Sequence, residues 1–148
     1  MKRILFICTG NTCRSPMAEC MMRALLASRG KTNIHVLSAG TYALSGAPAS
    51  TGAQRAMQRR GLSLAGHKSR AVIGVLLETC DLIVGLTQNH IAQLRMMYPH
   101  CATPMLCFDD PPVSDPYGGD DDAYEQAARD IQRQLPALLQ QLDKEDSL

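Results

Sequence analysis

A thiol and a guanidinium lie six residues apart near the start of the chain, at Cys8 and Arg14. A cysteine thiolate is a nucleophile, and the planar guanidinium of arginine matches two oxygens of a phosphate group. Between them, Gly10 permits a backbone conformation closed to most residues, so that successive N–H groups can turn inward around an anion. Residues 8–15 therefore predict a phosphate-binding loop that carries its own nucleophile.

The segments on either side of this loop have the patterns of a strand and a helix. The apolar run Ile4–Ile7 is typical of a buried strand, and a helix-like segment begins near Pro16 and extends to about Arg29. The amino end of a helix favours anions, because its first N–H groups have no partners within the helix. The same donors surround the Cys8 sulfur, and we expect them to lower the pKa of its thiol.

Strand-like and helix-like segments alternate along the rest of the chain, which is typical of an α/β protein with a parallel sheet. The further predicted strands lie at about Ile34–Ser38, Asp81–Leu86 and Met105–Phe108. The further predicted helices cover about 51–60, 71–79, 88–98 and 123–142, and Pro136 should kink the last one or begin it anew. A length of 148 residues suits a single domain spanning 1–148.

Charge and apolar patterning exclude several classes of protein. Residues 1–100 contain 12 Lys/Arg and 3 Asp/Glu, but the basic residues are scattered without interleaved aromatics, which disfavours a nucleic-acid partner. No apolar run can span a bilayer, and the first one is too short for a signal peptide. We therefore expect a cytoplasmic protein without membrane insertion, whose six cysteines are free thiols.

Phosphoryl transfer from an aryl ester also needs an acid for the leaving oxygen. Asp115 is the candidate, in a Pro- and Gly-rich loop, 109–122, that follows the last predicted strand. In a parallel sheet this loop emerges at the same edge as the Cys8 loop, where doubly wound folds bind ligands. Composition alone leaves Asp115 as one turn carboxylate among several.

The segment from Cys8 to Glu19 resembles the signature of low-molecular-weight protein tyrosine phosphatases. Further family landmarks follow in the same order at Ser38–Gly40, Gly61, His67-Lys68 and Asp115–Gly118. The resemblance covers nearly the whole chain. It implies a flavodoxin-like three-layer fold, with a four-stranded parallel sheet flanked by helices, that acts without a metal or another cofactor.

The resemblance also implies a two-step hydrolysis. Cys8 attacks phosphorus, and Asp115 protonates the leaving group and then activates water, while Arg14 and the loop amides hold the phosphate oxygens. The implied substrates are phosphorylated proteins, and the product is inorganic phosphate. The implied phosphate-binding residues are Thr9, Gly10, Asn11, Thr12, Cys13 and Ser15, and the supporting residues are Ser38, His67 and Tyr117. Ser15 can hydrogen-bond the Cys8 sulfur, cap the helix, or do both.

Two residues inside the loop leave questions of substrate and redox control open. Many family members carry an aliphatic residue at the position of Thr12, whereas threonine resembles the bacterial protein arginine phosphatases. Phosphotyrosine is the favoured substrate because most of the family resembles tyrosine phosphatases, and phosphoarginine is the close alternative. Threonine could also replace another β-branched residue at this position without any consequence for the substrate. The resemblance implies that Cys13 forms a reversible disulfide with Cys8 under peroxide, although a small core residue would look the same.

Other activities fit parts of the sequence. Arsenate reductases share the loop but need a series of resolving cysteines, for which Cys80, Cys101 and Cys107 are available. A cysteine phosphocarrier would preserve its phosphocysteine from water, which Arg14 and Asp115 argue against. A non-catalytic anion-binding module would not need the complete set of nucleophile, guanidinium and acid.

Overall fold

A sheet of four parallel strands lies at the centre of the protein. The computed structural model describes residues 1–146. The strands are β1 Lys2–Cys8, β2 Ile34–Gly40, β3 Leu82–Gly85 and β4 Met105–Cys107, and they are ordered β2-β1-β3-β4. This is the strand order of flavodoxin-like folds, so the predicted fold class is confirmed.

Six helices cover the two faces of the sheet in the described part of the chain. They are α1 Arg14–Ser28, α2 Thr51–Gln58, α3 Gly74–Thr79, α4 Gln88–Met97, α5 Asp121–Gln132 and α6 Leu135–Asp146. Successive side chains of a strand point to opposite faces, so Phe6 joins the core under α1, α2, α5 and α6, while Ile7 joins the core under α3 and α4. Both are fully buried, and each contributes about 2 kcal/mol of hydrophobic stabilisation. None of the six helices is long and apolar enough to cross a membrane.

The register of the strands brings the loop of Cys8 against the end of β2. Cys8 pairs with Gly40, and the N–H of Thr41 donates to the carbonyl of Cys8 at 2.9 Å. A Cβ at Gly40 would lie 2.3 Å from the carbonyl oxygen of Thr9, a distance that no side chain tolerates. Glycine is therefore required at position 40 so that the phosphate-binding loop can pass over β2.

One predicted helix differs from the observed one, and the predicted break of the last helix at Pro136 is confirmed. The prediction of helix from residue 71 is wrong for its first three residues, because Ala71 forms a parallel bridge with Gly40 and the N–H of Val72 donates to the Gly40 carbonyl at 2.9 Å. The predicted final helix is divided into α5 and α6. Pro136 has no N–H to donate, so it fits the first turn of a new helix and not the interior of a long one.

Candidate active site

A cavity of about 230 Å³ opens at the carboxyl ends of the strands, between the loop after β1 and the loop after β4. It is lined by Cys8, Thr9, Gly10, Thr12, Cys13, Arg14, Asp115 and Tyr117. The structure thus brings Asp115 to within reach of a nucleophile more than one hundred residues earlier in the chain. This placement is the one expected of loops that emerge at the same edge of a parallel sheet.

Arg14 and Asp115 face each other across this cavity. The Nη2 atom of Arg14 lies 3.6 Å from Oδ2 of Asp115, and the arginine side chain is only 8% exposed whereas the carboxylate is 59% exposed. Arg14 also donates to the carbonyl of Val113 at 3.5 Å. The guanidinium is therefore fixed at the floor of the site, and the carboxylate stands at its mouth.

Cys8 lies at the bottom of the cavity with its sulfur surrounded by donors. Its Sγ atom is 2.8 Å from the hydroxyl of Ser15, and the backbone N–H groups of Asn11 and Ser15 also point to it. Burial raises the pKa of the Cys8 thiol, whereas these hydrogen bonds and the charge of Arg14 lower it. Burial has the largest effect, so the expectation of a net lowered pKa is wrong for this structure.

Asn11 is the point at which most hydrogen bonds to the loop converge. Its Oδ1 accepts the backbone N–H of Arg70 at 3.0 Å, which fixes the orientation of the amide. Its Nδ2 therefore donates to the hydroxyls of Ser15 and Ser38, both at 2.9 Å. Since Ser15 accepts this bond, its own proton is free to be donated to the Cys8 sulfur. The predicted supporting residue Ser38 is thus linked to the Cys8 sulfur by hydrogen bonds through Asn11 and Ser15.

The backbone of Asn11 is held as firmly as its side chain. Nε2 of His67 lies 2.7 Å from the carbonyl oxygen of Asn11, and the nitrogen is the donor because a carbonyl only accepts. Asn11 has a φ of 55°, so the left-handed residue of the loop is Asn11 and not Gly10 as predicted. Asparagine is one of the few residues other than glycine that adopt this conformation readily.

Ser50 and Tyr124 contact the loop, and the sequence did not point to either. Ser50 precedes α2 as a cap would, yet its N–H and its hydroxyl donate to the carbonyl of Thr12, at 2.9 and 3.2 Å. Cys13 Sγ lies 3.3 Å from the Ser50 hydroxyl and 3.5 Å from that of Tyr124. Cys8 and Cys13 are both free thiols, so the regulatory disulfide stays a prediction.

His90 was also missed, and it approaches the loop from the side of β3. It is 3% exposed and lies in the first turn of α4, where the backbone N–H of Thr87 donates to its Nδ1 at 3.1 Å. Its Nε2 is 3.0 Å from the hydroxyl of Thr9. The only local signal for His90 was the capping pattern of Thr87 followed by a polar side chain three residues later, which predicts a helix start and no functional role.

The remaining predicted residues lie at the rim of the site or away from it. Tyr117 lines the cavity and is 81% exposed. None of Cys80, Cys101 and Cys107 lines the cavity; all three pack in the core under α3 and α4. The structure therefore offers no series of resolving cysteines next to Cys8 among the residues it describes.

A larger groove of about 760 Å³ lies behind the loop, and its wall includes Ser38, His67 and Arg70. Neither Cys8 nor Arg14 lines it. The larger groove also holds a carboxylate, a thiol and a guanidinium, in Glu19, Cys20 and Arg23. We nevertheless assign the chemistry to the smaller cavity, because the Cys8 thiol has hydrogen-bond donors that favour its thiolate, whereas burial and the charge of Glu19 raise the pKa of Cys20.

Comparison with known proteins agrees with this geometry. The family model described as "low molecular weight phosphotyrosine protein phosphatase" matches residues 3–148. The protein-arginine-phosphatase of Bacillus subtilis is 32% identical over 96% of this chain and 97% of its own. The probable low molecular weight protein-tyrosine-phosphatase EpsP of Ralstonia nicotianae is 33% identical over 93% of each chain.

Solved structures give the same result. The YwlE arginine phosphatase, as a Cys-to-Ser mutant with a phosphorylated active-site serine, superimposes with a TM-score of 0.90 at 30% identity, covering 96% of both chains. In that relative a side chain at the active site carries the phosphoryl group, as a covalent intermediate on cysteine would in the native enzyme.

Proposed function

The chain belongs to the low molecular weight phosphotyrosine protein phosphatase family, and we propose that it hydrolyses phosphorylated protein side chains through a phosphocysteine on Cys8. Its class of activity, that of a protein phosphatase, follows from the family and from curated relatives on both the tyrosine and the arginine branch. The observation that carries the residue assignment is the shared cavity of Cys8, Arg14 and Asp115.

In the first step the Cys8 thiolate attacks phosphorus, and an S–P bond forms as the bond from phosphorus to the leaving atom breaks. Asp115, in its protonated form, gives its proton to that atom. Arg14 and the inward N–H groups of the loop hold the equatorial oxygens, on which negative charge is concentrated in the transition state. The donors around Cys8 partly offset the effect of burial on its pKa and so favour the thiolate that this step needs.

In the second step a water molecule attacks phosphorus, and the S–P bond breaks to release inorganic phosphate. Asp115 is now ionised and takes the proton of the attacking water, which returns it to its starting form. Its position at the mouth of the cavity suits both steps, because the leaving group departs and the water arrives from the same side. Cys8 leaves as the thiolate and accepts the hydrogen bond of Ser15 again.

Phosphoarginine is the substrate that Thr12 favours. The Thr12 side chain lines the cavity, and its hydroxyl has only a long contact, 3.7 Å to Cys13 Sγ, among the residues described. That hydroxyl is available to accept a hydrogen bond from the guanidinium of the substrate. The arginine phosphatases among the relatives agree with this preference.

Phosphotyrosine is the second candidate, and Tyr117 is the observation that favours it. This ring is exposed at the wall of the cavity, where it can stack on the phenyl group of a substrate. The description of the matching family, which names phosphotyrosine, also supports this substrate. The two substrates differ in the atom that leaves, nitrogen or oxygen, but use the same cysteine chemistry.

The test is a side-by-side assay of phosphotyrosine and phosphoarginine peptides, with Cys8→Ser as the blank. Replacing Thr12 by isoleucine removes the hydroxyl and keeps a β-branched shape. We expect Thr12→Ile to raise the ratio of kcat/KM for phosphotyrosine over phosphoarginine by about tenfold, the effect of one hydrogen bond to a charged group.

The matched control is Thr32→Ile, an exposed position at the opposite edge of the sheet. It should leave kcat/KM for both substrates unchanged. Equal kinetics of Thr12→Ile and the unmodified protein on both peptides would overturn the role of Thr12. Hydrolysis of neither peptide by the reduced enzyme would overturn the proposed function itself.

A cytoplasmic location and a single domain spanning 1–148 complete the proposal. The alternating elements and the two continuous core layers of the sheet support one domain. Fractionation of cells expressing the protein tests the location, and a single cooperative unfolding transition tests the domain.

A further inference from the structure

The hydrogen bonds of His90 fix which of its nitrogens carries the proton. Nδ1 lies 3.1 Å from the Thr87 nitrogen and 2.9 Å from the Thr87 hydroxyl. A hydroxyl can donate or accept but a backbone N–H can only donate, so the N–H contact makes Nδ1 an acceptor without a hydrogen. The proton of the neutral ring is therefore on Nε2. Burial first, and then the charge of Arg14, lower the pKa of His90 to about 4, although Asp115 acts in the opposite direction. The ring is thus neutral at neutral pH.

This tautomer determines the direction of the bond to Thr9. Nε2–H donates to the Thr9 hydroxyl oxygen at 3.0 Å, so the hydroxyl cannot use that contact for its own proton. His90 is its only hydrogen-bond partner among residues 1–146. Thr9 is exposed and lines the cavity together with Cys8, Arg14 and Asp115, so its remaining proton is available to a ligand there.

We propose that the hydroxyl of Thr9 donates a hydrogen bond to an oxygen of the bound phosphoryl group, and that His90 is the positioning residue that directs it there. The inference rests on the proposed function, since it assigns a further donor to the same phosphate site. Thr9 contributes a side-chain donor in addition to the backbone of the loop. His90 does not touch the phosphate and acts only through Thr9.

Position 90 allows a matched pair of substitutions. Through its Oε1, glutamine can accept from the Thr87 N–H, as it does at this position of ordinary capping boxes. Its Nε2 then remains available as a donor to Thr9. Asparagine can also accept from Thr87, but it is too short to reach Thr9. His90→Gln therefore keeps the bond to Thr9, and His90→Asn loses it while leaving the start of α4 capped.

The experiment measures the binding of inorganic phosphate by calorimetry, which needs no turnover, together with kcat and KM. We expect His90→Asn and Thr9→Val each to weaken phosphate binding by about tenfold, whereas His90→Gln and Thr9→Ser stay close to the unmodified protein. In the double variant His90→Asn/Thr9→Val, the effect should be no larger than that of Thr9→Val alone. His35→Asn, at an exposed position of β2, is the control.

Several outcomes would overturn this assignment. They are full phosphate binding by Thr9→Val, equal losses for His90→Asn and His90→Gln, or additive losses in the double variant. If a substitution at position 90 prevents folding, the comparison of Thr9→Val with Thr9→Ser decides the question, because the Thr9 residue itself is exposed. Normal phosphate binding without hydrolysis of either peptide would count against the proposed function and leave this inference standing.

Discussion

The phosphate-binding loop is held from two sides that differ in construction. On the Asn11 side, formed by Asn11, Ser38, His67 and Arg70, four hydrogen bonds converge on one residue, whose amide contacts Ser15 and thus Cys8. On the His90 side, a single chain of bonds leads from Thr87 through His90 to Thr9. The first side acts on the sulfur, and the second acts on the phosphate.

The difference indicates how the protein controls two reagents in one small loop. Both sides use the same device, in which a backbone N–H fixes the orientation of a polar ring or amide, and that group then orients a hydroxyl. A hydroxyl that already accepts a bond donates in a defined direction. The Asn11 side, which has several hydrogen bonds, orients the donor to the Cys8 sulfur. The His90 side has fewer hydrogen bonds and orients one donor to the phosphate oxygens, which the loop amides and Arg14 also hold.

Removing the residue at the centre of the Asn11 side should have the largest effect. Asn11→Ala deletes three side-chain hydrogen bonds and places alanine at a φ of 55°, where it is strained. We expect kcat to fall by about 100-fold and the free energy of unfolding by about 3 kcal/mol. Steady-state kinetics and urea denaturation measure the two quantities.

Asn89→Ala is the control for this substitution, since Asn89 is an exposed residue of α4. It should leave kcat unchanged and stability within about 0.5 kcal/mol. If Asn11→Ala had a similarly small effect on kcat and stability, the hydrogen bonds of the Asn11 side chain would contribute little to either.

The His90 side should be distinguished by its response to acid. The folded protein keeps His90 neutral down to about pH 4, whereas the unfolded chain protonates its histidine below about pH 6.5. The unfolded state therefore gains protons first, and stability is lost as the pH falls from 6.5 to 4. We expect the unmodified protein to lose about 3 kcal/mol more than His90→Gln between pH 7 and pH 4.

Denaturant unfolding at several pH values measures this difference. The lowered pKa of Glu125, caused first by its hydrogen bond to Arg60, also makes stability fall with acid, but both proteins share it and it cancels. If the free energy of unfolding depended on pH in the same way for both proteins, the pKa of His90 would not be lowered by its surroundings.

A smaller effect separates the tasks of the two sides. Ser15→Ala removes the hydroxyl that lowers the pKa of Cys8, so the pH at which iodoacetamide alkylates this thiol should move upward. We expect kcat/KM to fall by about tenfold, while phosphate binding changes little. His90→Asn should give the opposite pattern, with weaker phosphate binding and an unchanged alkylation profile. If both variants gave the same pattern, the division between sulfur and phosphate would be wrong.

The positions of Cys8 and Arg14 could be expected from the sequence because they depend on local rules, whereas Asp115 was selected among several turn carboxylates by the resemblance to a family. A strand, a short loop and a helix start place Cys8 and Arg14, and parallel strand topology brings the later loop of Asp115 to the same edge. Asn11, Ser38 and His67 followed from the resemblance to a family. Their catalytic and supporting roles stay predictions until the variants are measured.

What could not be predicted depends on contacts between distant parts of the chain. His90 is 81 residues from Thr9, and no local pattern distinguishes it from a helix cap. Ser50 has the sequence position of a cap but uses its hydroxyl on the loop. The pKa of Cys8 was misjudged because the donors are visible in the sequence, whereas the depth at which the sulfur is buried is not.

The common direction of the strands has a practical consequence for handling this enzyme. All strands of the described sheet begin at the edge opposite the cavity, and Met1, 83% exposed, lies just before β1 at that edge. An affinity tag or a solid support attached at Met1 therefore leaves the cavity facing the solution. Immobilised in this orientation, the protein can capture phosphorylated proteins from a mixture, with Cys8→Ser retaining the bound partner for identification.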